Sequence, residues 1–162
     1  MEKGEQILAE FWEIFQKKIL LENYEQNKRL NGYKPSEIHC IQYIGGHSDS
    51  NVTKIAESFR MTTGGVTKLT QRLIEKDLIR AYKNPGNKKE IFFQLTNQGE
   101  KIYKIHEELH KKFSERDASL FEQISDEEYS FLLHFASTYS RHLDGELQKS
   151  GIDIKSGRAD TL

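Results

Sequence analysis

Ile7, Leu8, Phe11, Trp12, Phe15, Ile19 and Leu20 recur at three- and four-residue steps, which predicts one helix over 5–30. Asn31-Gly32 stops it. Pro35-Ser36-Glu37 opens a short helix that carries Ile38, Ile41 and Ile44 and ends at Gly45-Gly46. Ser50-Asn51 caps a third helix with Val52, Ile55, Ala56 and Phe59 inward. After a tight turn at Arg60-Met61-Thr62, a fourth is expected from about Thr63 to Lys76, burying Val66, Leu69, Leu73 and Ile74. Asp77, which tolerates the left-handed conformation better than most residues, reverses the chain.

The pattern then changes period. Leu78 to Tyr82 and Glu90 to Leu95 are rich in Ile, Phe and Tyr and flank Asn84-Pro85-Gly86-Asn87, so they predict a hairpin. Thr96-Asn97 caps a long helix to about Ala118 with the stripe Ile102, Ile105, Leu109 and Phe113. Ser125-Asp126-Glu127-Glu128 reads as a capping box opening a last helix through Leu132, Phe135, Ala136, Tyr139 and Leu143. A frayed tail is expected from Gly151. The predicted fold is mainly α with a small β-hairpin wing: a winged helix-turn-helix with helices before and after it.

Composition limits the function classes. At 162 residues the chain can bury a proper core, and its longest apolar runs are far too short to span a bilayer. Residues 1–5 lack the pattern of a signal peptide, and one cysteine, Cys40, excludes an intrachain disulfide framework; a cytoplasmic protein is expected. Formal net charge is −1, so any positive surface must be local. Lys54, Arg60, Lys68, Arg72, Lys76, Arg80, Lys83, Lys88 and Lys89 supply it, against only Glu57, Glu75, Asp77 and Glu90 nearby.

That excess falls on residues 51–96, read as a DNA-binding module whose second helix enters the major groove. Thr62 and Thr63 offer hydroxyls at the positive end of the helix dipole. Gly64-Gly65 costs helix stability, which a protein tolerates more readily where DNA approaches the backbone. Thr67, Lys68 and Gln71 continue the exposed face, and Lys54 and Arg72 reach for phosphates. Lys88 and Lys89 crown the wing. No nucleophile motif or phosphate-cradling loop supports an enzyme. A winged-helix protein-interaction module is the rival outside regulation.

In Val52-Thr53-Lys54-Ile55-Ala56, Thr63 to Leu69, Leu73 to Ile79 and Leu95-Thr96-Asn97-Gln98-Gly99 the chain resembles the MarR family of bacterial regulators. The resemblance implies a homodimer: 1–34 and 97–150 interleave, 35–96 binds double-stranded operator DNA, and 151–162 is a tail. Its wings usually carry Asp-Xaa-Arg at the tip. Here Asn87-Lys88-Lys89 stands there, which implies a wing with less sequence selectivity.

His106 and His110, four apart, share one helical face and can chelate one ion. With His39 they resemble three ligands of the primary zinc site in the zinc-uptake repressor branch of the family, for which Glu22 or Glu25 is the implied fourth. Ile38 and Ile105 stand where that branch's secondary site has carboxylates. Zn²⁺ suits such a donor set. A small aromatic or lipophilic effector lined by Phe, Tyr and Trp12 is the alternative, and oxidation of Cys40 a third, although Cys40 reads first as a buried small hydrophobe. His134 and His142 are expected at a surface or interface, and His47 in a loop.

Overall fold

The computed structural model describes residues 2–151. In chain order it contains α1 (Lys3–Arg29), α2 (Pro35–Gly46), α3 (Val52–Phe59), α4 (Thr63–Glu75), β1 (Ile79–Asn84), β2 (Asn87–Leu95), α5 (Asn97–Phe121) and α6 (Asp126–Lys149). All but Gly151 of the expected frayed tail lies outside the described residues. No described helix is long and apolar enough to cross a membrane.

Local chemistry sets the helix ends. Asn51, Thr62, Thr96 and Ser125 each accept a backbone N–H two or three residues into the helix they open, at Lys54, Gly65, Gly99 and Glu128. Both helices of the helix-turn-helix close in Schellman motifs. Leu78 N–H donates to Leu73 O and Asp77 N–H to Ile74 O, with Asp77 left-handed at φ 54°. Met61 N–H donates to Ala56 O and Arg60 N–H to Glu57 O, with Arg60 at φ 52°.

The core gathers under α2, α3 and α4. Ile38, Ile41, Ile55, Val66, Leu69 and Leu73 pack there with Leu78, Ile79 and Phe93 from the hairpin and Ile102 from α5. Ile74 departs from expectation. It is 42 % exposed, because the inward arc of α4 is narrower than the sequence stripe and Thr70 fills it, its hydroxyl donating back to Val66 O.

The hairpin also runs further than its apolar stretches suggest. Pairing extends from Ile79↔Leu95 to Asn84↔Asn87 around a tight turn. A short third rung is added by an antiparallel bridge between Asn51 and Phe92, with Phe93 N–H donating to Ser50 O.

The outer helices differ from the rest. Gln26 is the only buried residue of α1, and α6 buries none. Trp12 is 63 %, Leu20 73 % and Phe131 68 % exposed.

Candidate DNA interface and effector site

Thr62 Oγ1 accepts Gly65 N–H at 3.1 Å and fixes where α4 begins. A Cβ at Gly65 would sit 3.2 Å from that hydroxyl, whereas one at Gly64 would meet nothing within 4 Å. Glycine at 65 therefore protects the cap, and glycine at 64 answers to no neighbour within the chain. Thr63, Thr67, Lys68 and Gln71 are exposed along one side of α4. Lys68 has no acidic partner among the described residues, so its charge is free for an anion.

Two other expected phosphate contacts are engaged within the chain. Lys54 pairs with Asp49, and Arg72 Nε stands 4.0 Å from Glu37 Oε1. At the wing, hydrogen bonds of Asn87 brace the tip. Its Nδ2 donates to Glu90 Oε2 at 2.9 Å, and its Oδ1 accepts the amides of Lys89 and Glu90, both at 3.2 Å. Lys88 and Lys89 remain exposed without acidic partners among the described residues.

A second cluster forms where α1, α2 and α5 meet. The rings of His39 and His106 are 6.1 Å apart and those of His106 and His110 4.4 Å apart, while Glu22 lies close enough to act on His39. His106 is buried, and its Nδ1 has no hydrogen-bond partner. Loss of hydration, aided by the facing His110 and His39 rings, lowers its pKa to about 4. His39 is lowered for the same reasons, against the pull of Glu22.

Both imidazoles therefore stay neutral at pH 7, with lone pairs of the kind Zn²⁺ takes. Among the described residues, no group of three or more such side chains stands at metal-holding distance. Both carboxylates expected as a fourth donor are paired within the chain, Glu25 with Lys112 Nζ at 2.8 Å and Glu22 with Lys18, and Glu22 is the one near enough to act on His39.

The other effector readings are placed as well. A cavity of about 850 Å³ opens beside Glu22 and His110, walled by Ile14, Phe113, Phe121 and Tyr129. Trp12 does not line it. Cys40 is fully buried, and burial pushes its thiol up to about 12, which removes the thiolate that oxidation needs. His47 caps α2, its ring stacked on Tyr43 at 4.2 Å. His134 and His142 are exposed on α6.

Sequence reasoning missed Glu37. It lies 1 % exposed at the start of α2 with Lys76 Nζ on both carboxylate oxygens at 2.9 and 2.8 Å. Burial alone would raise its carboxyl, but Lys76, the Lys34 amide and Arg72 outweigh that and hold it below the usual range. The only signal was a charged residue inside the apolar spacing of Ile38, Ile41 and Ile44.

The MarR family profile matches residues 34–91. The HTH-type transcriptional regulator PchR of Bacillus subtilis (strain 168) is 34 % identical over 111 residues, 68 % of this chain and 66 % of that protein. The uncharacterized HTH-type transcriptional regulator YhjH of the same organism is 30 % identical over 122 residues, 75 % of this chain and 67 % of that protein. The chain thus spans about two thirds of the length of these relatives. In fold it is similar to Streptococcus pneumoniae FabT, solved in complex with DNA, with TM-score 0.75 and 21 % identity over 88 % of this chain and 99 % of that one.

Proposed function

This chain belongs to the MarR family of transcriptional regulators, and from that premise we propose that it is a homodimeric repressor reading operator DNA through α4 and the hairpin, with Zn²⁺ as its effector. It is a DNA-binding protein of transcription regulation and not an enzyme. The observation that carries the operator reading is the exposed side of α4. Thr63, Gly64, Thr67, Lys68 and Gln71 lie there on a helix whose start is capped and whose other face is core. Hydroxyl, amide and ammonium groups of that kind match base edges and phosphates. Thr62, Gly65, Lys54 and Arg72 border this surface, and Lys88 and Lys89 extend it along the wing.

The apolar faces of α1 and α6 support the dimer. Monomeric proteins rarely leave contiguous apolar surface of this kind in water. On this reading 1–34 and 97–150 join two copies, 35–96 binds DNA, and an operator-bound dimer blocks the promoter.

The orphaned Nδ1 of His106 supports the metal. Glu22, His39, His106 and His110 would hold Zn²⁺, which would supply a tie between α1, α2 and α5. The cavity beside Glu22 and His110 supports a small aromatic or lipophilic molecule as the second reading. Chelation separates the two: operator affinity drops on chelation and returns with Zn²⁺ if metal is the effector, and is indifferent to both if it is not.

For the DNA reading, Lys68→Ala is expected to weaken binding to the upstream region of the protein's own gene about tenfold in an anisotropy titration. Unaltered affinity would refute the assignment of α4. Gly64→Ala carries a divided expectation. It should stabilise α4 by about 1 kcal/mol, raising the unfolding midpoint by a few degrees, and yet weaken operator binding where DNA lies against the backbone. A variant more stable and equally tight would show that position 64 does not touch DNA.

A further inference from the structure

We propose that Glu37 is a positioning residue for operator recognition: its buried carboxylate pins the last turn of α4 to α2 and holds the Arg72 and Lys76 charges away from the DNA backbone. The proposal rests on the reading of α4 as the DNA-reading helix.

Lys68, Arg72 and Lys76 are spaced by four and form one row along α4 and its C-cap. Left alone, such a row attracts phosphates of any sequence. Only Lys68 is without an acidic partner among the described residues. Lys76 Nζ sits on both Glu37 oxygens at 2.9 and 2.8 Å, and Arg72 Nε is 4.0 Å from one of them. Tyr33, in the link between α1 and α2, closes the other side, its ring centre 5.6 Å from Lys76 Nζ.

Stability does not account for this arrangement. Glu37 is buried while Lys76 and Arg72 keep 40 % and 45 % of their side chains exposed, and a half-exposed pair contributes little beyond the hydration that the carboxylate lost. Geometry does account for it. Ile38, Ile41, Leu69 and Leu73 fix that α2 and α4 are buried together, but apolar surfaces slide. A carboxylate held by the Lys34 amide at 3.0 Å and by two cations of α4 leaves far less freedom of rotation. Base reading needs a side chain placed within roughly 0.5 Å and 10–20° of its productive position. The pin therefore acts twice, aiming Thr67, Lys68 and Gln71 and removing sequence-independent charge from the row.

Salt dependence distinguishes this from a merely structural role. Titrations over a salt series use the upstream DNA of the protein's own gene and a random-sequence duplex. Glu37→Gln keeps the size and the link to Lys34 but frees both cations. It should bind the random duplex several-fold more tightly at low salt, with a log–log salt slope steeper by about four per dimer, two freed cations in each copy, and lose about tenfold in specificity ratio. Lys76→Gln alone should leave the slope unchanged, and Glu37→Gln/Lys76→Gln should return it toward wild type. A folded Glu37→Gln protein with wild-type slope and ratio would overturn the proposal. So would a Lys76→Gln slope shallower by about two per dimer, since Lys76 would then already touch phosphates; this arm decides the matter if Glu37→Gln does not fold. Lys68→Ala runs alongside and should flatten the slope. If it does not, the reading of α4 fails and the pin with it, whereas a flattened Lys68→Ala slope beside an unmoved Glu37→Gln slope refutes the pin alone.

Discussion

Replacing Gly99 with alanine is expected to lower the unfolding midpoint by about 10 °C, followed by circular dichroism on heating. A Cβ there would lie 2.0 Å from the carbonyl oxygen of Leu78 and 3.4 Å from Leu95 Cβ. The obstacle is backbone, and it is already committed: Leu78 O accepts Thr96 N–H at 3.1 Å while Leu78 N–H closes α4. Relief requires α5 to lift from the base of the hairpin, breaking the Thr96 contacts with both Leu78 O and Asp77 O. Overpacking on that scale costs about 3 kcal/mol, and at this chain length each kcal/mol moves the midpoint by about 3 °C. Gly45→Ala makes the comparison sharp. Its Cβ would meet the Tyr103 ring at 2.4 Å, a side chain able to turn aside, so its loss should be smaller. The expected order of midpoints is Gly64→Ala above wild type, then Gly45→Ala, then Gly99→Ala. A Gly99→Ala protein as stable as wild type would remove the close approach of α5 to the hairpin base.

The histidine cluster should make the metal-free protein sensitive to mild acid. His106 is held near pKa 4 when folded and returns to about 6.5 when unfolded. Between those values the unfolded chain binds the extra proton, so stability rises with pH across the window. It is fully present above about 6.5 and is lost as pH falls toward 4. His39 is shifted in the same direction, with His110 and Glu22 facing it. At 1.36 kcal/mol per pKa unit, discounted for water reaching the rim of the cluster, His106 contributes about 2 kcal/mol. Urea midpoints at pH 7.5, 6.0 and 4.5 in the presence of a chelator measure it. His106→Gln should flatten the fall relative to wild type, which separates the imidazole from carboxylates that titrate lower. Equal slopes in the two proteins would show that His106 is not held neutral by burial. The proposed zinc binding should weaken as pH falls over the same interval, because its ligands must give up their protons.

Whatever is decided within four or five residues was legible along the chain. Asn51, Thr62, Thr96 and Ser125 cap because their side chains reach the amides just ahead of them, and Asp77 turns left-handed as its type suggests. Arg60 takes the same conformation without warning, for the demand comes from the tight approach of α3 to α4 and not from arginine. Contacts distant in sequence were hidden. The bridge from Asn51 to Phe92 joins residues whose own surroundings say helix start and strand. Glu37 looked like an ordinary first-turn acid, since its partner lies 39 residues away. Ile74 fitted the helical period yet stayed in water, because periodicity marks a stripe without giving the width of the core it meets. At the candidate effector site, the pairing of His106 with His110 is helical spacing. The convergence of His39 and Glu22 on them depends on how α1 and α2 dock against α5.

The joint at Gly99 also has a consequence for how such a regulator can change. The exit of α4, the end of the hairpin and the start of α5 are welded there by the Thr96 hydrogen bonds and by a packing distance that admits no side chain. A weld transmits motion without slack, so a tilt of α5 swings the reading helix and the wing together as one blade. On the proposed operator reading, the identity of the bases read then belongs to the outer side of α4. On the proposed homodimer reading, the separation of the two half-sites belongs to the helices beyond the weld. Substitutions at Thr67, Lys68 and Gln71 can retarget the blade while its reach stays the same, which makes sequence and spacing two independent dials on one molecule.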